Sequence, residues 1–176
     1  MRQLAQEAER YNIALNYNIN HPQRTVEALR LLLCCSEENR PAVTHELFKA
    51  YWVDGIKFKD STLLDDITKR YKMKSKCFEK QTTKDLLFKQ TTEAAKSGIF
   101  GVPTFEYNGQ QWWGQDRMHF LNAALGGNVS STFARASEPK TITLYHDFSS
   151  PYSYLAFKQM KRFSEESGHI IKPKPI

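Results

Sequence analysis

Three features of the sequence predict an α/β chain. Residues 2–97 carry helical periodicity almost throughout, residues 104–125 read strand, turn, strand, helix, and residues 141–175 read strand, helix, strand. At 176 residues the chain suffices for one domain with a hydrophobic core. Apolar residues make up 40%, an ordinary share for a globule in water. No apolar run approaches the ~20 residues that a bilayer-spanning helix needs. The longest, Ala28 to Cys35, is interrupted by Arg30. Met1 to Glu7 begins an amphipathic helix and lacks the apolar stretch of a signal peptide. A cytoplasmic location is therefore expected, with the mitochondrial matrix as the alternative and no membrane partner.

The net charge is +6, from 25 basic and 19 acidic residues. Lysines concentrate between Lys57 and Lys89 with acids among them. That pattern fits a solvated helix surface, or a basic rim that attracts an anionic small ligand. No aromatic-basic motif accompanies the charge, so no nucleic-acid partner is expected. Cys34, Cys35 and Cys77 form no C-x-x-C pair, so neither a metal site nor a dithiol is expected. Cys34 and Cys35 fall in an apolar helical stretch and are expected to be buried free thiols.

Leu4, Ala5, Ala8 and Tyr11 share one side of a helix over residues 2–12. Pro22 keeps residues 13–23 as loop or short extended segments. From Thr25 to Ser36 the pattern is apolar almost all round, which predicts a buried helix. Pro41 suits the first turn of a helix running to about Val53, with Val43, Leu47, Ala50 and Tyr51 inward. Asp60 and Ser61 are candidate N-caps for a helix through Tyr71; Ser75 and Thr83 are candidates for two more, the second closed by Gly98. Asn108-Gly109 is a hairpin signal inside Thr104 to Trp113. A helix over Gln115 to Leu125 puts Met118, Leu121 and Leu125 on one face, and the Gly/Ser-rich stretch 126–139 reads as a linker. Thr141 to Tyr145 alternates as a strand. Pro151 to Ser167 is helical, with Leu155, Met160 and Phe163 aligned. Residues 169–175 read as a further strand, stopped by Pro173 and Pro175.

A strand–helix–strand unit and a hairpin–helix unit are the parts of a thioredoxin-like fold, here in reversed order. Two of its motifs carry chemistry. Asp147-Phe148-Ser149-Ser150-Pro151-Tyr152-Ser153 lies where a strand turns into a helix, the place where redox members of that fold put C-P-x-C. Both thiol positions here are hydroxyls, Ser150 and Ser153, so disulfide exchange from this site is excluded. What remains is a helix N-terminus that favours an anion and a hydroxyl that can donate to a thiolate. Plain Ser-Pro capping accounts equally for the motif. The second motif is Gly101-Val102-Pro103-Thr104. A cis Val102-Pro103 bond would turn the Val102 backbone toward a peptide-like ligand; a plain proline at a strand start is the alternative. In Trp113-Gly114-Gln115-Asp116, backbone N–H groups could receive a carboxylate and the Asp116 side chain an ammonium. Ordinary capping by Asp116 is the alternative there.

These residues resemble a family, the 2-hydroxychromene-2-carboxylate isomerases and kappa glutathione transferases within the DsbA-like thioredoxin group. The resemblance rests on Ile99 to Phe105, on Trp113-Gly-Gln-Asp-Arg117, on Asp147 to Ala156 and on His21 to Arg30. It implies a thioredoxin-like α/β fold with a large helical insertion, glutathione as cofactor and an electrophilic small molecule as substrate. It also implies a role for each matching residue. Ser150 is the catalytic hydroxyl that bonds the glutathione sulfur. Val102 and Pro103 hold the cysteinyl part, and Trp113, Gly114, Gln115 and Asp116 the γ-glutamyl part. Arg24 and Ser153 are the expected substrate contacts, and Arg24 stands where the family has an asparagine. In the family the thiolate adds to the substrate, giving a conjugate or permitting a bond rotation before release. A homodimer or a domain-swapped dimer is expected with it.

Family members begin with the serine strand, whereas here it comes last. Residues 1–127 are thus expected to be the helical insertion and rear half of a thioredoxin-like domain, 128–140 a linker, and 141–176 the front half. The front half either completes the same domain by permutation or exchange, or begins a second repeat. A hairpin without its central partner leaves an exposed edge, so the two pieces are expected to pair. A catalytically silent binding or scaffold module is the rival functional reading.

Overall fold

Apolar periodicity becomes helix through most of the first hundred residues. The computed structural model describes residues 2–60, 62–126 and 136–176. Helix α1 (Arg2–Arg10) buries Leu4 and Ala8. Helix α2 (Val26–Cys34) is enclosed, as its nearly all-apolar surface demands. Helix α3 (Arg40–Trp52) takes Pro41 in its first turn, where no hydrogen-bond donor is needed. Helices α4 (Leu63–Arg70) and α5 (Gln81–Lys96) complete the layer.

The helix starts correct several expectations. Asp60 ends a 3-10 turn, Phe58–Asp60, and Ser61 lies outside the described residues. Thr62 precedes α4, but its hydroxyl donates to Asp66 Oδ2 at 2.7 Å and caps no amide. No α-helix starts at Ser75. Lys76 adopts a left-handed φ of 52°, which breaks helical continuity, and Cys77–Glu79 form a single 3-10 turn. Helix α5 begins before Thr83, whose hydroxyl donates back to the Cys77 carbonyl at 2.9 Å.

Strands β1 (Thr104–Tyr107) and β2 (Gln110–Trp113) form the hairpin. Asn108 and Gly109 both take positive φ, 49° and 75°, as a tight hairpin turn requires. A 3-10 turn, Gln115–Arg117, leads into helix α6 (Met118–Ala124), shorter than the expected helix over Gln115 to Leu125. Of the expected linker, residues 127–135 lie outside the described residues. Strand β3 (Thr141–His146) runs into helix α7 (Pro151–Ser167), which closes at Gly168 with φ 81°, and strand β4 (Ile170–Pro175) follows. The sheet order is β2-β1-β3-β4. β1 is antiparallel to β2 and to β3, with Phe105 opposite Leu144, and β3 is parallel to β4. Strands from before and after the expected linker thus share one sheet, and the fold is thioredoxin-like with α1–α5 as a helical insertion.

Pro173 and Pro175 do not stop β4, which runs through both to pair with Leu144 and His146. Its amides at Ile170 and Ile176 donate inward, to Lys140 O at 2.9 Å and His146 O at 3.2 Å. N–H groups alternate sides along a strand, so the amide positions of 171, 173 and 175 face outward and the prolines cost the ladder nothing.

The insertion and the sheet share one core. Leu31 and Leu32 of α2, Phe48 and Trp52 of α3, Phe105 of β1, Ile142 and Leu144 of β3, and Leu155 and Met160 of α7 are all fully enclosed in one cluster. Among the described residues no helix is long and apolar enough to cross a membrane.

Candidate active site

The sharpest turn in the chain's chemistry lies between β3 and α7. Ser150 is the N-cap of α7: its Oγ accepts from the Ser153 amide at 3.1 Å. Pro151 follows, with its ring φ set for the first helical position. The Ser150 hydroxyl also donates to the Val102 carbonyl at 3.3 Å. A single half-buried oxygen therefore joins the α7 N-terminus to the segment ahead of β1. Tyr152 lies in the first turn of α7, where backbone amides have no carbonyl four residues back within the helix. Aligned peptide dipoles place roughly half a positive charge at such a terminus, which favours an anion beside Ser150.

The Val102–Pro103 peptide bond is cis. Gly114 donates its amide to the Pro103 carbonyl at 2.9 Å, so the end of β2 is tied to the same segment. Gly114 sits at φ 106°, a conformation that side-chain-bearing residues rarely adopt, with the Asp116 carboxylate close over its backbone. The Asp116 side chain caps no amide in the 3-10 turn that contains it. It is exposed, with Arg117 Nε 3.7 Å from its carboxylate. Gln115 is buried and accepts from Gln159 Nε2 of α7 at 2.7 Å. Trp113 is half exposed and lies against Gly101, where a Cβ would sit 2.6 Å from the indole nitrogen. Phe100 packs on that indole at 5.1 Å and is itself 80% exposed. Ser150, Val102, Pro103, Trp113, Gly114, Gln115 and Asp116 thus form one connected region.

Five hydrogen bonds position that region, and sequence reasoning named none of them. Asp147 accepts from Thr25 Oγ1 at 2.7 Å, from Ser149 Oγ at 2.8 Å and from the Ser149 amide at 3.2 Å. Trp52 Nε1 donates to Phe148 O at 3.0 Å, and the Tyr154 hydroxyl to Ala14 O at 2.7 Å. Asp two residues before a serine is a turn signal readable in sequence; Thr25 and Trp52 carry no such signal. Beneath the loop, His146 is fully buried between Phe48 and Phe148, with ring centroids 5.5 and 5.3 Å away.

Two expected substrate contacts fall elsewhere. Ser153 is fully enclosed on the first turn of α7, and its hydroxyl has no hydrogen-bond partner among the described residues. Its side chain presents no surface to solvent in this arrangement. Arg24 Nε donates to both carboxylate oxygens of Glu27, at 2.9 and 3.0 Å. It borders a separate recess of ≈ 370 Å³ with Phe58, Lys59, Leu64 and Phe78. Among the described residues no three His, Cys, Asp or Glu side chains are grouped to hold a metal.

The DSBA-like thioredoxin domain pattern matches residues 1–126. The chain is similar to a 2-hydroxychromene-2-carboxylate isomerase of Pseudomonas sp. (strain C18), 29% identical over 124 residues, which cover 68% of this chain and 58% of that protein. A protein of the same name from Pseudomonas putida is 26% identical over 123 residues, covering 68% of this chain and 60% of the relative. A solved structure titled selenomethionine 2-hydroxychromene-2-carboxylate isomerase superposes with a TM-score of 0.62 at 25% identity, covering 71% of this chain and 63% of that one. The chain therefore spans about three-fifths of the length of the relatives it matches.

Proposed function

Because the chain belongs to the DSBA-like thioredoxin domain family, we propose that it is a glutathione-dependent isomerase or transferase that activates the glutathione thiol with Ser150 at the N-terminus of α7. One observation carries the reading: the Ser150 hydroxyl, at a helix N-terminus, reaches the Val102 carbonyl and so joins the two motifs that the proposal needs. On binding, the hydroxyl hydrogen would turn from Val102 O to the incoming sulfur. The Tyr152 amide and the helix dipole would add to it. Together they favour thiolate over thiol, so the bound thiol ionises nearer neutral pH.

Residues 113–116 supply the matching end. The exposed Asp116 carboxylate suits an ammonium, and the half-exposed Trp113 ring, set against Gly101, offers an apolar face. The thiolate then attacks an electrophilic carbon of an unsaturated small molecule. In an isomerase the adduct loses its double-bond character, rotates and expels the thiolate. In a transferase it takes a proton and leaves as the conjugate. The names of the relatives favour the isomerase.

Calorimetry with glutathione tests the proposal. The full chain should bind it and release a proton near pH 7. Ser150→Ala should fold normally, release less proton on binding, and slow glutathione-dependent turnover ~10²-fold, the usual cost of one preorganised donor to a developing anion. The second reading, a silent thioredoxin-fold binding module, is favoured by the Ser150 hydrogen already being held by Val102 O. A folded chain that takes up no glutathione selects that reading.

A further inference from the structure

Outside this site the fold brings Cys77 to Cys34 and Cys35, which lie far from it in sequence. Helix α2 packs on the 3-10 turn Cys77–Glu79 and on α5, enclosing a recess of ≈ 500 Å³. Cys34, Cys35, Cys77 and Met73 line it, together with Lys72, Lys74 and Lys80. The neighbouring thiols of α2 diverge. Cys34 Sγ lies 3.5 Å from Arg30 O, whereas Cys35 Sγ lies 3.4 Å from Leu31 O and 3.6 Å from Met73 Sδ. Adjacent helical positions differ by about 100° around the axis, so a Cys34–Cys35 bond would distort α2. Cys34 instead shares the recess with Cys77 and Thr83, close enough for the Cys77 thiol to act on the Cys34 thiol electrostatically. Thr83 Oγ1 donates to the Cys77 carbonyl at 2.9 Å, which fixes the 3-10 turn against the start of α5 where α2 packs.

We propose that Cys34 and Cys77 are a reversible dithiol–disulfide pair, oxidised by exchange with a small anionic disulfide that the lysine-rimmed recess admits. Cys34 is half-buried and Cys77 buried, so Cys34 reacts first. Its thiolate attacks one sulfur of the small disulfide, whose S–S bond breaks; one small thiolate leaves and takes up a proton. The Cys77 thiol then loses its proton and attacks the Cys34 sulfur of the mixed disulfide, expelling the second small thiolate. Two protein thiols become one disulfide, and one small disulfide becomes two thiols. Burial, and then the Cys77 thiol, push the Cys34 thiol up to about 12, so the reduced pair reacts slowly.

The position gives the bond leverage. The opposite end of α2 begins beside Thr25, which holds Asp147, and α5 runs out toward Phe100 to Pro103. The staple therefore ties together the helices that reach both halves of the Ser150 site.

Incubating the reduced full chain with glutathione disulfide, then trapping remaining thiols with N-ethylmaleimide in denaturant, tests this by peptide mass spectrometry. The expected products are a crosslinked Cys34–Cys77 peptide pair and an alkylated Cys35. Dithiothreitol should reverse the crosslink, and thermal unfolding of the oxidised chain should move up by several degrees. Cys35→Ser should leave the crosslink intact. Cys77→Ser should stop at a mixed disulfide on Cys34. Crosslinks through Cys35, or a folded chain whose Cys34 and Cys77 are both fully alkylated, would overturn the proposal.

Discussion

His146 shows what one buried polar side chain does to the whole energy balance. It is fully enclosed in an aromatic nest, and neither ring nitrogen has a partner among the described residues. Burial, and then the nearby Arg40 charge, push its pKa from 6.5 down to about 3. The unfolded chain takes a proton at this residue once the pH falls below about 6.5, while the folded chain declines it until about 3. Protonation thus favours the unfolded state across that window. The stability present above pH 6.5 should fall by up to ~1.4 kcal/mol per pH unit as the pH drops toward 3. Urea titrations at several pH values should show this slope. His146→Phe keeps an aromatic ring among aromatic neighbours and should flatten it. An unchanged slope in that variant would assign the acid sensitivity to other groups.

At the scale of elements, the site depends on how α2 and α3 grip the β3–α7 loop. Thr25→Val keeps the side-chain shape and deletes the hydrogen given to Asp147. It should cost ~1 kcal/mol of stability, since the carboxylate keeps its Ser149 partners. Differential scanning calorimetry would read it as a modest drop in the unfolding midpoint. Because the loop carries Ser150, glutathione affinity should weaken as well; an unchanged affinity would mean the loop holds itself. This grip also marks where the sequence stops being readable. Pro151, Gly168 and Asn108-Gly109 declare their elements because each has a local conformational reason to be there. Ser150 and Val102 stand out for the same reason. The Thr25–Asp147 bond joins residues 122 positions apart and follows from no local rule. Ser75 and Thr83 looked like caps, but the left-handed Lys76 and an earlier start of α5 decided otherwise. Cys77 seemed isolated because its approach to α2 is a packing event, made by the chain between them.

At the scale of the molecule, residues before and after the linker contribute to one core and one sheet. β1 has β3 as its neighbour, and Phe105 lies opposite Leu144 with both fully enclosed. The backbone crossing from 126 to 136 is then not required for assembly once both parts are present. Coexpressing residues 1–126 and 136–176 as separate chains should yield a complex that copurifies, while 1–126 alone should be insoluble. A soluble, folded 1–126 would show that the helical layer covers the hairpin without β3.

The prolines of β4 reach beyond the chain itself. With positions 173 and 175 lacking N–H, the outer rim of the strand keeps carbonyl acceptors but, between Ile170 and Pro175, just the Ile171 amide as an outward donor. An incoming backbone needs both donors and acceptors in alternation, and it meets a surface that can mostly only receive. Two copies therefore gain little by zipping their sheets together at β4.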